Sequence, residues 1–189
     1  MFLKIFLFIF LFFNYFLNLY ADDKQSIINQ LLEINNFTFN FEQITAGKIE
    51  TGACLIVFDN KLKCNYINGA QKEIIINNKT LAVIQKKYNK IYLYPISKSP
   101  FLKILNKNSL ISLIRESNLE LNDNLDLLYF DENKNKITVF FDKKNYDLIG
   151  WKTEDKFQKE IFFLLKIQSK NTKIDNNIFK IPSLIKELN

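Results

Sequence analysis

The amino-acid sequence predicts a mostly β, α+β fold, a curled antiparallel meander of about 10–11 strands with helices across one face. The chain has 189 residues with only 4 Gly and 3 Pro, and apolar and polar residues alternate through most of it after residue 36. The alternating runs are separated by short turns rich in Asp, Asn and Lys, which favour antiparallel hairpins. Two other regions have the spacing of amphipathic helices.

The first 21 residues have the composition of a cleavable secretory signal peptide. Lys4 precedes an unbroken apolar run from Ile5 to Phe13, and the small residue Ala21 ends the segment. A basic start, a short apolar core and a small residue at the cleavage site are typical of exported proteins. An uncleaved membrane anchor is the alternative, because residues 2–20 nearly reach the roughly 20 apolar residues of a membrane-spanning helix. We favour the signal peptide because the uninterrupted core is short.

Composition argues against several classes of protein. The chain has no histidine, and its 26 Lys and Arg outnumber its 20 Asp and Glu. Histidine is the commonest general base and metal ligand, so we expect no enzyme, no metal site and no cofactor. The lysines are spread evenly and form no aromatic-basic cluster, so we expect no nucleic-acid partner. Residues 22–189 contain no linker, and we expect them to form a single domain.

The predicted elements follow in the order helix, six strands, helical insertion and four or five further strands. Apolar spacing predicts a helix over Lys24–Ile34 and helical pieces over Phe101–Leu105 and Ser109–Arg115, with Ser99 and Pro100 as the helix start. Alternation and turn residues predict the strands Phe37–Gln43, Gly52–Phe58, Leu62–Ile67, Glu73–Ile76, Leu81–Ile84, Lys90–Tyr94, Leu125–Phe130, Ile137–Phe141, Leu148–Thr153, Glu160–Gln168 and Ile178–Ile181.

The two cysteines, Cys54 and Cys64, flank the predicted turn at Asp59 and Asn60. A turn centred there sets them nearly opposite each other on paired strands, within the range of a disulfide. Export favours a disulfide, and two buried free thiols are the alternative.

Several strands are apolar on both faces, which a sheet with one solvated face would not be. They are Ala53–Phe58, Ile74–Ile76 and Ile161–Leu165. Such strands fit either an ordinary two-layer core or an interior that binds lipid, and the pattern alone favours the ordinary core.

Three stretches of the sequence resemble the outer-membrane lipoprotein carrier family. They are Gly52–Tyr66, the passage Tyr92–Leu105 from a strand into a helix, and Phe179–Pro182. The resemblance implies an unclosed, strongly curved antiparallel barrel whose helices cover an apolar concave face. It also implies a periplasmic chaperone of a Gram-negative bacterium, which we expect to be a monomer. Such a chaperone takes acylated lipoproteins from an inner-membrane lipoprotein-releasing ABC transporter to an outer-membrane acceptor, if one is present.

The resemblance also implies which residues touch the acyl chains. The concave wall would contain Phe39, Phe41, Leu55, Phe58, Leu62 and Tyr66. The mobile lid would contain Phe101, Leu102, Leu105 and Leu110. The family's lid-anchoring arginine and its tryptophan correspond here to Phe58 and Cys64, so the arginine hydrogen bond has no donor. Apolar packing of Phe58 under Phe101, Leu102 and Leu105 could take its place.

Other functions on the same fold make different demands on the sequence. A periplasmic module that senses lipids or lipoproteins would be expected to carry a second domain. A membrane-anchored acceptor would need a lipid-bearing cysteine directly after the signal peptide, where this chain has Asp22. A secreted hydrolase would need a nucleophile motif, and the sequence offers none. We therefore favour the carrier and keep the sensing module as the alternative.

Overall fold

The computed structural model describes residues 23–68, 71–98, 102–130, 134–154 and 159–182. The predicted signal peptide and the residues Ser99, Pro100 and Phe101 lie outside these ranges. Eleven strands in the described residues form one antiparallel sheet. They are β1 (Asn36–Thr45), β2 (Lys48–Val57), β3 (Lys61–Tyr66), β4 (Lys72–Asn77), β5 (Thr80–Gln85), β6 (Lys90–Pro95), β7 (Asn118–Leu121), β8 (Leu125–Phe130), β9 (Lys136–Phe141), β10 (Leu148–Glu154) and β11 (Glu160–Lys170).

The sheet is curved and unclosed, with β6 and β7 as its two edges. The first half of the chain runs outward from β1 to β6, and the second half runs inward from β7 to β11. The two halves meet where β1 pairs with β11 in the middle of the sheet. This architecture confirms the predicted fold class.

Three helices complete the described part of the chain. They are α1 (residues 23–33), α2 (Leu102–Leu105) and α3 (Lys107–Glu116). The Asn106 side chain accepts a hydrogen bond of 2.9 Å from the Ser109 N–H and so caps the start of α3. Most of the buried side chains of the three helices share one apolar cluster with the concave face of the sheet. We call α2 and α3 the lid.

The lengths of these helices bear on how the protein could meet a membrane. The longest of them has 11 residues, fewer than the roughly 20 that span a bilayer. Within the described ranges, no helix has both the length and the apolar character to cross one.

A second, smaller apolar cluster lies on the convex face of the sheet. Phe179 is 1% exposed and packs there with Ile75, Ala82 and Ile84. The predicted strand Ile178–Ile181 is wrong, because this segment forms a 3₁₀ turn over Asn176–Phe179. The turn packs the Phe179 ring against the convex face of the sheet. Burial of this ring therefore does not require the segment to pair as a strand.

The sequence prediction also missed β7 at the edge of the sheet. It has only four residues, three of them exposed, so its polar-apolar alternation is too short to stand out as a strand. Only its pairing with β8 makes this segment a strand.

A buried carboxylate joins three elements on the convex face. Glu73 on β4 forms ion pairs with Lys63 on β3, at 2.9 Å, and with Lys86 after β5, at 2.8 Å. Burial by itself would raise the pKa of Glu73, but the hydrogen bonds and charges of Lys86 and Lys63 outweigh burial and lower it. The ionised carboxylate therefore holds the turn after β5 against β4.

We expect Glu73→Gln to reduce the free energy of unfolding at neutral pH by about 1–2 kcal/mol, because it removes charge-assisted hydrogen bonds to partly exposed lysines. A carboxylate with a lowered pKa in the folded state stabilises it above the unfolded pKa and loses that effect as pH falls. Thermal melts should differ by about 2–8 °C at pH 7, and the difference should shrink progressively as the pH falls below the ordinary pKa of glutamate, about 4.3. A difference that persists undiminished at acidic pH would contradict this role.

Candidate functional site

A row of aromatic rings crosses the concave face from one half of the sheet to the other. Phe41 on β1 contacts Tyr66 on β3 edge-on, with ring centroids 4.7 Å apart. On its other side Phe41 stacks against Phe163 on β11 at 4.9 Å. Phe163 in turn stacks against Trp151 on β10 at 4.2 Å. We call Tyr66, Phe41, Phe163 and Trp151 the aromatic row.

Gly52 lets the row cross β2. It pairs with Phe41 on one side and with Tyr66 on the other. A Cβ at Gly52 would lie 2.6 Å from Cε1 of Phe41. The missing side chain therefore leaves the space in which the two rings meet.

Trp151 reaches the concave face because β10 is irregular. The pairing with β9 shifts between Leu148 and Gly150, so strict alternation is broken there. Leu148 and Trp151, three residues apart, both join the concave cluster. A bulge of this kind redirects the side chains that follow it.

The aromatic row borders a cavity of about 260 Å³ under the lid. Its lining is mostly apolar or aromatic and consists of Gln43, Tyr66, Lys72, Ile74, Ile104, Tyr129, Ile137, Trp151, Thr153, Ile161 and Phe163. Ile104 belongs to α2, and the other lining residues lie on strands. The strand residues lie at the end of the sheet where β1 and β3 finish and β4 and β11 begin. We call this end the mouth end.

Polar side chains at the mouth end are tied to one another. The Tyr66 hydroxyl donates a hydrogen bond of 3.0 Å to Oε1 of Gln43. The Lys72 ammonium lies 3.7 Å from the centroid of the Tyr66 ring and 3.3 Å from Glu50. Burial, and secondarily the charge of Glu50, raise the pKa of Tyr66, so its hydroxyl stays neutral. The site thus offers an apolar interior with a cation at its edge.

Polar contacts tie the lid to the turn between β2 and β3 and to α1. The Asp59 carboxylate accepts a hydrogen bond of 3.0 Å from the Lys107 N–H. The Asn60 N–H donates to the Leu105 carbonyl at 3.2 Å. Lys24 of α1 donates to the carbonyl of Arg115 at 3.1 Å. Apolar side chains of the lid also pack on the concave face of the sheet.

Several of the predicted site residues lie together on the concave side, but few line the cavity. Phe39, Phe41, Leu62 and Tyr66 belong to the concave wall, and Leu105 and Leu110 are buried in the lid. Of these, Tyr66 lines the cavity. The side chain of Leu102 and the whole of Phe101 lie outside the described part of the structure.

The placement of Leu55 on the concave wall is wrong. Leu55 packs against the convex cluster, whereas its neighbours Cys54 and Ile56 face the concave side. Cys54 is the direct partner of Phe39 across β1 and β2, and directly opposed residues share a face. Successive residues of a strand point to opposite faces, so Leu55 must point outward.

Phe58 lies at the lid anchor rather than at the cavity. It is half-buried in the turn between β2 and β3, 6.1 Å from the Phe37 ring centroid. The Lys107 ammonium is 5.3 Å from its ring centroid. The turn therefore holds the lid through Asp59 and Asn60, beside a packed aromatic ring.

Sequence reasoning missed most of the cavity lining. The second half of the chain supplies Tyr129, Ile137, Trp151, Ile161 and Phe163. Alternation within β9 marks Ile137 as a member of an apolar face, but β11 is apolar on both faces around Phe163 and gives no such signal. The sequence does not reveal that β11 pairs with β1, so that the apolar faces of the two halves of the chain form one concave surface.

Cys54 and Cys64 form the predicted disulfide between β2 and β3. The two residues are direct cross-strand partners, and their Cα atoms are 4.1 Å apart. Both side chains belong to the concave cluster, so the bond is buried under the helices.

Comparison with known proteins identifies the family. The sequence model described as outer membrane lipoprotein carrier protein LolA matches residues 32–182. Among curated proteins, no sequence matches this chain.

Solved structures resemble this chain at low sequence identity. An uncharacterized conserved protein of Thermus thermophilus superposes with a TM-score of 0.55 at 8% identity, over 84% of this chain and 94% of that one. A LolA superfamily protein of Nitrosomonas europaea gives a TM-score of 0.43 at 11% identity, over 83% and 97%. LprF of Mycobacterium bovis gives 0.43 at 10%, over 82% and 97%. The family match extends over most of the sequence, and the chain belongs to the outer membrane lipoprotein carrier protein LolA family.

Proposed function

We propose that the protein carries acylated lipoproteins across the periplasm, from the inner to the outer membrane, with their acyl chains in the cavity under the lid. One observation carries the proposal: a chain of the LolA family has an apolar cavity bordered by the aromatic row. An acyl chain gains about 0.8 kcal/mol for each methylene removed from water. Such a site needs no catalytic group to retain its cargo.

The size of the cavity implies that the lid moves when cargo binds. Its volume of about 260 Å³ is near the lower limit of pockets that enclose drug-sized ligands. It therefore holds part of one acyl chain, whereas a lipoprotein carries more apolar surface than that. Ile104 of α2 borders the cavity, so displacing the lid would enlarge it. The described polar contacts of the lid, to Asp59, Asn60 and α1, are few, so we expect its displacement to cost little free energy.

The carrier role also implies which partners the protein would meet and where in the cell it would act. Acylated lipoproteins would be the cargo, delivered by an inner-membrane lipoprotein-releasing ABC transporter and passed to an outer-membrane acceptor where one exists. Export through the predicted signal peptide at residues 1–21 would place the protein in the periplasm.

Trp151 provides a direct test, because it is the single tryptophan of the chain and it lines the cavity. Brominated fatty acids quench tryptophan fluorescence at short range. We expect a brominated fatty acid to quench Trp151 saturably, and a synthetic triacylated peptide to reverse the quenching by displacement. A matched control is the double variant Trp151→Phe/Leu93→Trp, which moves the tryptophan to the exposed edge strand and should show no saturable quenching.

Cargo itself can be sought in the processed protein purified from the periplasm. We expect mass spectrometry to detect acylated peptides or lipid bound to it. Absence of both bound lipid and saturable quenching would reject the carrier and favour a regulatory module on the same fold that binds a protein partner instead of cargo.

A further inference from the structure

Three large apolar side chains project into solvent from neighbouring turns at the mouth end. The exposed fractions are 51% for Ile49, 73% for Ile67 and 55% for Tyr88. Ile49 is the second residue of β2, and the Ile67 N–H donates to the Thr51 carbonyl of that strand at 2.9 Å. Tyr88 lies in the turn that joins β5 to β6. Since β6 to β1 are consecutive in the sheet, the three residues lie along the mouth end.

Lysines lie on the same turns and strand ends as these apolar residues. We call the group the lysine rim, and it consists of Lys48, Ile49, Ile67, Lys72, Lys86, Lys87, Tyr88 and Lys90.

The carboxylates beside the rim are already neutralised. Glu50 is contacted by both Lys48 and Lys72, and Glu73 by Lys63 and Lys86. The side chains of Glu50 and Glu73 are 18% and 9% exposed, so the charge presented to solvent is mainly positive.

Two lysines of the rim have no acidic partner. Within the described residues, Lys87 and Lys90 form no ion pair with a carboxylate, and both are exposed. The Lys87 ammonium lies 5.7 Å from the centroid of the Tyr88 ring. Their charges are therefore available to an anionic surface.

We propose that the lysine rim binds the surface of a bilayer that contains anionic phospholipids. Separate apolar side chains on neighbouring turns can each enter the interface, where tyrosine is also favoured. Lysines around them are attracted to the phosphates of anionic lipids. A protein partner would more usually meet a contiguous apolar patch. Because Lys72 belongs both to the rim and to the cavity lining, the bound protein would present its cavity to the membrane.

The test is co-sedimentation of the processed periplasmic protein with vesicles of phosphatidylethanolamine and phosphatidylglycerol. We expect binding that weakens with salt, is lost on pure phosphatidylcholine, and falls about tenfold in Lys87→Glu/Lys90→Glu. Ile49→Ser/Ile67→Ser should also bind about tenfold more weakly. The charge-matched control Lys144→Glu/Lys173→Glu and the apolar control Leu121→Ser change exposed residues outside the rim and should bind normally.

A second readout separates apolar insertion from charge attraction. In the Trp151→Phe background, Ile67→Trp should shift its emission to the blue on anionic vesicles, whereas Leu121→Trp should not. Absence of vesicle binding, or equal losses in rim and control variants, would overturn the proposal and point to a protein partner. The rim variants should retain quenching of Trp151 by brominated fatty acid, so failure of the rim and failure of the carrier role give different results.

Discussion

Replacing Ile74 with glutamate is expected to abolish acyl-chain binding while leaving the protein folded. Ile74 lies on β4, lines the cavity and is only half-buried. An acyl chain in the cavity would have to strip water from the new carboxylate, which costs several kcal/mol. The affinity for a brominated fatty acid, measured by quenching of Trp151, should fall by more than about 100-fold.

The matched control is Ile91→Glu, which introduces the same change on the other face of the sheet. Ile91 is also half-buried, but it packs against the convex cluster. Both variants should lose stability to a similar extent, about 1–3 kcal/mol, whereas only Ile74→Glu should lose affinity. Normal fatty-acid binding by a folded Ile74→Glu protein would exclude the cavity as the acyl site.

The choice of Ile74 shows where sequence and structure give different answers. The sequence points to Leu62 as a wall residue, and Leu62 does face the concave side. It is only 7% exposed, however, between its cross-strand partners Ile56 and Ile76. A charge there would unfold the protein rather than report on ligand binding. Which wall residues border empty space depends on how the lid packs, and periodicity within a strand carries no information on that.

Strands that are apolar on both faces also limit how well the sequence predicts which side chains face the concave side. Alternation places Phe39 and Phe41 correctly, because their neighbours along β1 are polar. On β2 both Leu55 and Ile56 are apolar, so their residue types do not show which of them faces the concave side and which the convex side. The register between β1 and β2 settles the question, and it depends on the turn at residues 46 and 47.

Long-range pairing limits the prediction of the site itself. The aromatic row requires β1 beside β11, whose residues are more than a hundred positions apart along the chain. Turn residues in the sequence identify which consecutive strands form hairpins, but they give no information on the pairing of β1 with β11. Trp151 adds a local irregularity, since its orientation depends on the bulge after Leu148. The elements were therefore largely predictable, and the composition of the cavity was not.

The largest expected effect on stability comes from Gly52→Ala. Its Cβ would lie 2.2 Å from the Asn65 carbonyl oxygen and 2.6 Å from Cε1 of Phe41. The carbonyl belongs to β3, which pairs with β2 beside the disulfide and cannot move away alone. We expect a loss of about 3 kcal/mol or more in the free energy of unfolding, and a fall of about 6–12 °C in melting temperature.

Two further variants separate the causes of that loss. Gly47→Asn is the control, because nothing lies within 4 Å of a Cβ at Gly47 and asparagine tolerates its φ of +77°. It should melt close to the parent protein. Gly52→Ala/Phe41→Leu removes the ring contact but keeps the contact with the Asn65 carbonyl, so it should not recover stability. Full recovery in the double variant would mean that Gly52 serves only the aromatic row, and that the β2–β3 pair can yield to a methyl group.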